Sequence, residues 1–186
     1  MLETTMTGAA ASPLAEISRI DPLGMVSLKA DLSDPAVTSA LTALTGVGVP
    51  MPLTVWEAER HATVWMAPDE VLILCPAAEA AGTVAALDAS LSGHHALALD
   101  VSAARAAFRI AGPGAREVLA KGAPLDLRPG VFTPGTARRT HLGQVAVGLW
   151  LGQDEAFTLV CFRSLADYVT AWLEEAAHPG GAVGHF

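Results

Sequence analysis

Few side chains in this sequence stand where chemistry would need them. Asp69-Glu70 sets two carboxylates side by side, an arrangement suited to general acid–base work when one of them is desolvated. Flanked by apolar runs and preceded by Pro68, the pair also reads as a solvated turn between strands. Arg105 and Arg109 share one face of an alternating run, where guanidiniums can grip a carboxylate, pair with acids on a partner, or simply face water. His94-His95 offers two metal ligands, but adjacent strand residues point to opposite faces and no nearby Cys or Asp joins them, which favours surface histidines in a loop. Gly112-Pro113-Gly114 follows a strand and opens a helix, the place where backbone N–H groups meet anions. Pro113 removes one of those donors and no Lys-Ser/Thr follows, so a structural turn is the simpler reading. Gly46-Val47-Gly48 lacks the third glycine of a dinucleotide loop and follows a helix instead of a strand. Trp56, Trp65, Trp150 and Trp172 are too scattered to stack on a flavin and suit core or interface burial.

Composition narrows the classes. The 186 residues carry a net charge of −8 and no run of Lys or Arg, which argues against nucleic acid and against an anionic membrane surface. No stretch reaches the roughly 18 apolar residues of a bilayer span, and the first residues lack the charged and apolar regions of a signal peptide. Cys75 and Cys161 sit inside apolar runs and read as buried free thiols, which suits a reducing, cytoplasmic location. Apolar residues make up 52% of the chain and charged residues only 16%, against an average of about 25% charged. Such a surplus either hides against a partner, as one contiguous apolar patch, or reflects an alanine-rich composition.

The elements that must position these side chains follow from periodicity and punctuation. Residues 1–12 are small and polar and are expected to be disordered. Strands are expected near Met25–Leu32, Leu53–Glu57, His61–Met66 and Val71–Cys75. Helices are expected from Ser33-Asp34-Pro35 to about Leu44 and from about Glu79 to Leu91. The second half repeats the plan. It has strands near Ala96–Ser102 and Arg105–Ile110, and a helix over Pro113–Lys121 with Pro113 in its first turn and Gly122 as a left-handed cap. Three more strands follow between Ala137 and Cys161. A last helix starts at Ser164, where Ser164 and Asp167 have capping-box spacing. Its apolar face would hold Leu165, Tyr168, Val169, Trp172, Leu173 and Ala176. The reading is α+β: two similar strand–helix–strand halves with mainly antiparallel sheets covered by helices. They form a single domain over residues 13–177, with a mobile tail over 178–186.

Several runs together resemble the gamma subunit of heterotetrameric sarcosine oxidase. They are DVS-x-x-R from Asp100 to Arg105, GPGAREVLAKG from Gly112, PLDL from Pro124, the F-x-PG turn from Phe132, and RSLADYVTAWL from Arg163. WMAPDEVLIL from Trp65 resembles a further run of that family, with Ala67 and Val71 replacing its glycine and second tryptophan. The similarity covers roughly residues 12 to 177 and extends, more distantly, to the folate-binding aminomethyltransferases. It implies a folate-binding-domain-like fold and a non-catalytic subunit acting in assembly and stability. The complex would convert sarcosine, O2 and water to glycine, formaldehyde and H2O2, or to methylenetetrahydrofolate when tetrahydrofolate is present. FAD, FMN, NAD and zinc would sit on the alpha, beta and delta partner subunits, with no catalytic, cofactor or metal residue on this chain. Trp65, Asp69, Glu70, Asp100, Arg105, Arg109, Gly112 and Arg163 are marked as family-motif or interface positions. The aminomethyltransferases carry an acid on the strand after the long loop, whereas Thr140–Leu151 here contains no Asp or Glu. A free-standing folate-binding protein, or a subunit of a related N-methyl amine oxidase or demethylase complex, remains the alternative.

Overall fold

A computed structural model describes residues 13–186; residues 1–12, expected to be disordered, lie outside the described residues. The first half runs β1 (Glu16–Ile20), β2 (Gly24–Ala30), α1 (Pro35–Thr45), β3 (Val55–Glu57), β4 (Ala62–Ala67), β5 (Glu70–Cys75) and α2 (Ala80–Ser90). The second runs β6 (Ala96–Asp100), β7 (Arg105–Ala111), α3 (Ala115–Ala120), β8 (Ala137–Leu142), β9 (Val145–Leu151), β10 (Phe157–Phe162) and α4 (Ala166–Ala176). Both sheets are antiparallel, with strand orders β3-β4-β5-β2-β6 and β1-β7-β10-β9-β8. The α+β reading of two similar halves stands, and the order reveals how they are joined. Placed in correspondence, the halves have the same connectivity, and each gives its first strand to the edge of the other's sheet: β1 pairs with β7, and β6 pairs with β2.

Four layers result. α3 and α4 cover the outer face of the second sheet, burying Phe108, Ile110, Val118, Leu119, Val169 and Leu173. α1 and α2 cover the outer face of the first, over Val26, Leu28, Val71 and Ile73. Between the sheets lies a third core, in which Met25, Val64, Met66 and Leu72 meet Ala107, Trp150 and Val160. This sandwich alters the reading of β7. Its alternation suggests one wet face, yet Ala107 is as buried as Phe108. The "polar" face of Arg105, Ala107 and Arg109 is turned to the other sheet, and the small Ala107 there lets the sheets approach.

Local signals divide by mechanism. α1 starts as read: Asp34 accepts a hydrogen bond from the Ala36 N–H at 2.8 Å, Pro35 occupies the first turn, and Gly46 closes the helix in the left-handed region at φ 77°. Three expectations are overturned. Pro113 precedes the helix, because Gly114 is the N-cap of α3. Gly122 is not left-handed; a Cβ there would meet the Trp172 ring at 2.3 Å, so its smallness makes room for an aromatic. α4 begins at Ala166 behind a 3₁₀ turn, without a side-chain cap from Ser164, and Leu165 and Tyr168 are exposed. β1 escaped the sequence reading: five residues with Ser18 and Arg19 in the middle give no clear alternation, and pairing with β7 alone makes them a strand.

Candidate functional site

Two of the singled-out residues, Glu70 and Arg105, meet between the two sheets. Glu70 opens β5 and is half-buried, so the expectation of a fully solvated Asp69-Glu70 turn fails for its second member. Asp69 does remain exposed, 3.7 Å from Lys29 Nζ. Glu70 accepts a hydrogen bond from Ser27 Oγ at 2.8 Å across β2–β5, and the Arg105 guanidinium of the opposite sheet lies 4.0 Å away. Both ionic side chains are well screened, with 13% and 20% of their surface exposed. Burial and the neighbouring Arg139 draw the Arg105 pKa down, while Glu70 opposes them. The guanidinium also lies 5.8 Å above the ring of Phe162, within cation–π range. Carboxylate, guanidinium and aromatic ring thus come from β5, β7 and β10, three strands on two sheets, which no local spacing could disclose.

This cluster lines a cleft of about 580 Å³, whose walls include Arg139, His141, Leu125, Val147 and Cys161. The cleft lies in a split of the second sheet. The β9–β10 ladder ends at Val160↔Gly148, although β10 continues to Phe162 and β9 begins at Val145. Carrying the register on would place Cys161 opposite Val147 and Phe162 opposite Ala146. Those four residues line the cavity instead. The carboxylate that lines the cleft, Glu70, comes from the other sheet and is held there by Ser27 and Arg105.

The remaining motif residues are structural in their contacts. Asp100 accepts from the N–H and Oγ of Ser102 at 2.9 and 2.5 Å, and Ser102 Oγ accepts from the Met25 N–H at 2.9 Å. The Ser102 hydroxyl, then its N–H, holds the Asp100 carboxyl below its usual range. Arg163 donates to the carbonyls of Ala103 and Ser102 at 2.9 and 3.0 Å. Asp100, Ser102 and Arg163 thus latch the chain where it passes from one sheet to the other. Arg109 pairs within the chain, 2.8 Å from Asp154. Gly112 has φ 96° and, with Gly114, lets residues 14–16 pass close by. The Gly114 N–H donates to the Leu14 carbonyl at 3.1 Å, so the turn docks main chain. Trp65 is half-buried on the helix-covered side of the first sheet, away from the cleft. His94 Nδ1 is 2.7 Å from Asp34 Oδ2. Among the described residues, no three His, Cys, Asp or Glu side chains converge as metal ligands. Cys75 and Cys161 are buried and unpaired, with pKa values raised by burial.

The exposed large apolar side chains do not form the single patch expected. Met51, Leu53 and Trp56 lie at the β3 edge of the first sheet, and Leu97 and Leu99 at its β6 edge. Leu97 and Leu99 are opposite Lys29 and Ser27 in register and keep 53% and 50% of their surface exposed. No described helix is long and apolar enough to cross a membrane.

Comparison with known proteins agrees with this architecture. The gamma subunit of sarcosine oxidase from an Arthrobacter species is 32% identical over 140 residues, 74% of this chain and 68% of that protein. The corresponding subunit from Corynebacterium sp. (strain U-96) is 29% identical over 173 residues, 92% of this chain and 82% of that one. The solved heterotetrameric sarcosine oxidase from Corynebacterium sp. U-96, in complex with pyrrole 2-carboxylate, contains a chain that superposes with a TM-score of 0.83 at 27% identity. The match covers 95% of this chain and 91% of that one. The glycine cleavage system aminomethyltransferase T of Bartonella henselae shares the fold, with a TM-score of 0.65 at 14% identity over 86% of this chain and 45% of the enzyme. The sarcosine oxidase, gamma subunit family profile matches residues 29–179, so the chain belongs to that family.

Proposed function

We propose that this chain is the non-catalytic gamma subunit of a heterotetrameric sarcosine oxidase and acts in the assembly and stability of that enzyme. The observation that carries the reading is the whole-length likeness to a chain of the solved heterotetramer, at a TM-score of 0.83 with 95% of this chain covered. The site geometry supports it. Glu70 is tied to Ser27 and Arg105, and every other motif residue with a resolved contact holds the chain to itself. In this reading the alpha, beta and delta subunits carry the FAD, FMN, NAD and zinc. The complex turns sarcosine, O2 and water into glycine, formaldehyde and H2O2, or delivers the one-carbon unit to tetrahydrofolate, in the cytoplasm.

Co-expression with the neighbouring open reading frames, followed by purification through a tag on this chain, tests the proposal. A yellow complex of four different chains that oxidises sarcosine is the expected result. Three partner subunits that assemble and work equally well without this chain would refute it.

A further inference from the structure

The split between β9 and β10 has a feature that assembly alone leaves unexplained. An antiparallel ladder is broken inside a sheet, and main-chain edges that would normally pair line a cavity instead. Its volume of about 580 Å³ falls within the range of pockets that hold small organic ligands. Its charges are unbalanced: the guanidiniums of Arg105 and Arg139 face one carboxylate, Glu70, and Glu70 also takes the Ser27 hydroxyl. Arg139, exposed at the mouth, reaches only the Met66 carbonyl, at 3.5 Å. Apolar wall is supplied by Leu125 and Val160, and Phe162 is 57% exposed.

We infer that this cleft binds a small organic carboxylate with an apolar body, its anion held between Arg105 and Arg139. Two guanidiniums from β7 and β8, on opposite sides of the β9–β10 split and lining the same cleft, suit the planar, two-oxygen geometry of a carboxylate. The apolar part of the ligand lies against Phe162 and Leu125. Glu70, whose oxygens accept only, orients the ligand by taking a hydrogen bond from an N–H or O–H on it. The inference goes beyond the assembly reading and stands or falls independently of it.

Hippurate combines the three features in one probe: a carboxylate, one amide N–H and one ring. Calorimetric titration of the full chain at low ionic strength should show saturable binding at one site. Hippuramide, its neutral amide, should bind about tenfold more weakly or worse, and so should hippurate to Arg139→Gln, since charge-assisted hydrogen bonds are at stake. Among the described residues Arg139 is exposed and makes one long side-chain hydrogen bond, so the variant should melt with the parent chain and still recover the partner subunits. That pattern would separate the cleft from assembly. No heat with hippurate, or equal binding of hippuramide, overturns the inference. So does a variant that fails to recover the partner subunits while the parent chain ignores hippurate, because the cleft would then take an acidic side chain of a partner.

Discussion

At the residue scale, the contacts around the Asp100 turn and Gly114 explain why a chain without an evident active site is particular about its side chains. Gly114 is where α3 starts and where Leu14 passes; a Cβ there would meet the Leu14 carbonyl oxygen at 2.3 Å. Backbone cannot retreat as a side-chain tip can. Gly114→Ala should therefore destabilise by about 1–3 kcal/mol, read as a lower denaturant midpoint with unchanged slope. Asp100 makes a pH prediction. Its carboxyl is held below its ordinary value by Ser102, so the unfolded chain takes up the proton first as the solution is acidified. The stability it contributes is present above about pH 4 and is lost as pH falls through the folded value. Asp126, lowered to about 2 beside Arg128, Asp34 and Asp154 act in the same direction. Asp100→Asn should thus melt lower than the parent at pH 7, and the difference should shrink toward pH 3. A constant difference would remove the carboxylate from the account.

At the element scale, the legible parts were those with local causes. α1 was readable because Asp34, Pro35 and Gly46 act within their own turn. α2 was readable because Leu87 and Leu91 recur on one face. β1 was not, since its residues become a strand only through β7, about ninety positions away in sequence. The cleft was hidden for the same reason. Glu70 and Arg105 looked like members of two unrelated runs, and only the stacking of the sheets makes them partners. Edge strand β6 makes a further prediction. Leu97 and Leu99 are half exposed on the face turned toward the space between the sheets, and no described residue covers them. If partner subunits cover them, Leu97→Lys and Leu99→Lys should reduce recovery of those subunits while shifting the chain's own stability by only about 0.5 kcal/mol. Full recovery with both substitutions would move the contact elsewhere, with the exposed Met51, Leu53 and Trp56 edge next to be tried.

At the scale of the whole molecule, the exchange of first strands decides what counts as a unit. Neither half completes a sheet of its own, and the middle core takes Met25, Val64 and Leu72 from one sheet with Ala107, Trp150 and Val160 from the other. Calorimetry should find a single cooperative transition, with van't Hoff and measured enthalpies equal; two resolved transitions would show that the sheets melt separately. The exchange also bears on where the chain can be cut. The exposed turn at Ser92–His95 lies between α2 and β6, the junction of the two repeats. Nicked there, the protein would behave as two half-length polypeptides that are each insoluble alone, yet find one another when synthesised together. Each would bring the strip the other lacks, as two subunits of a swapped dimer do.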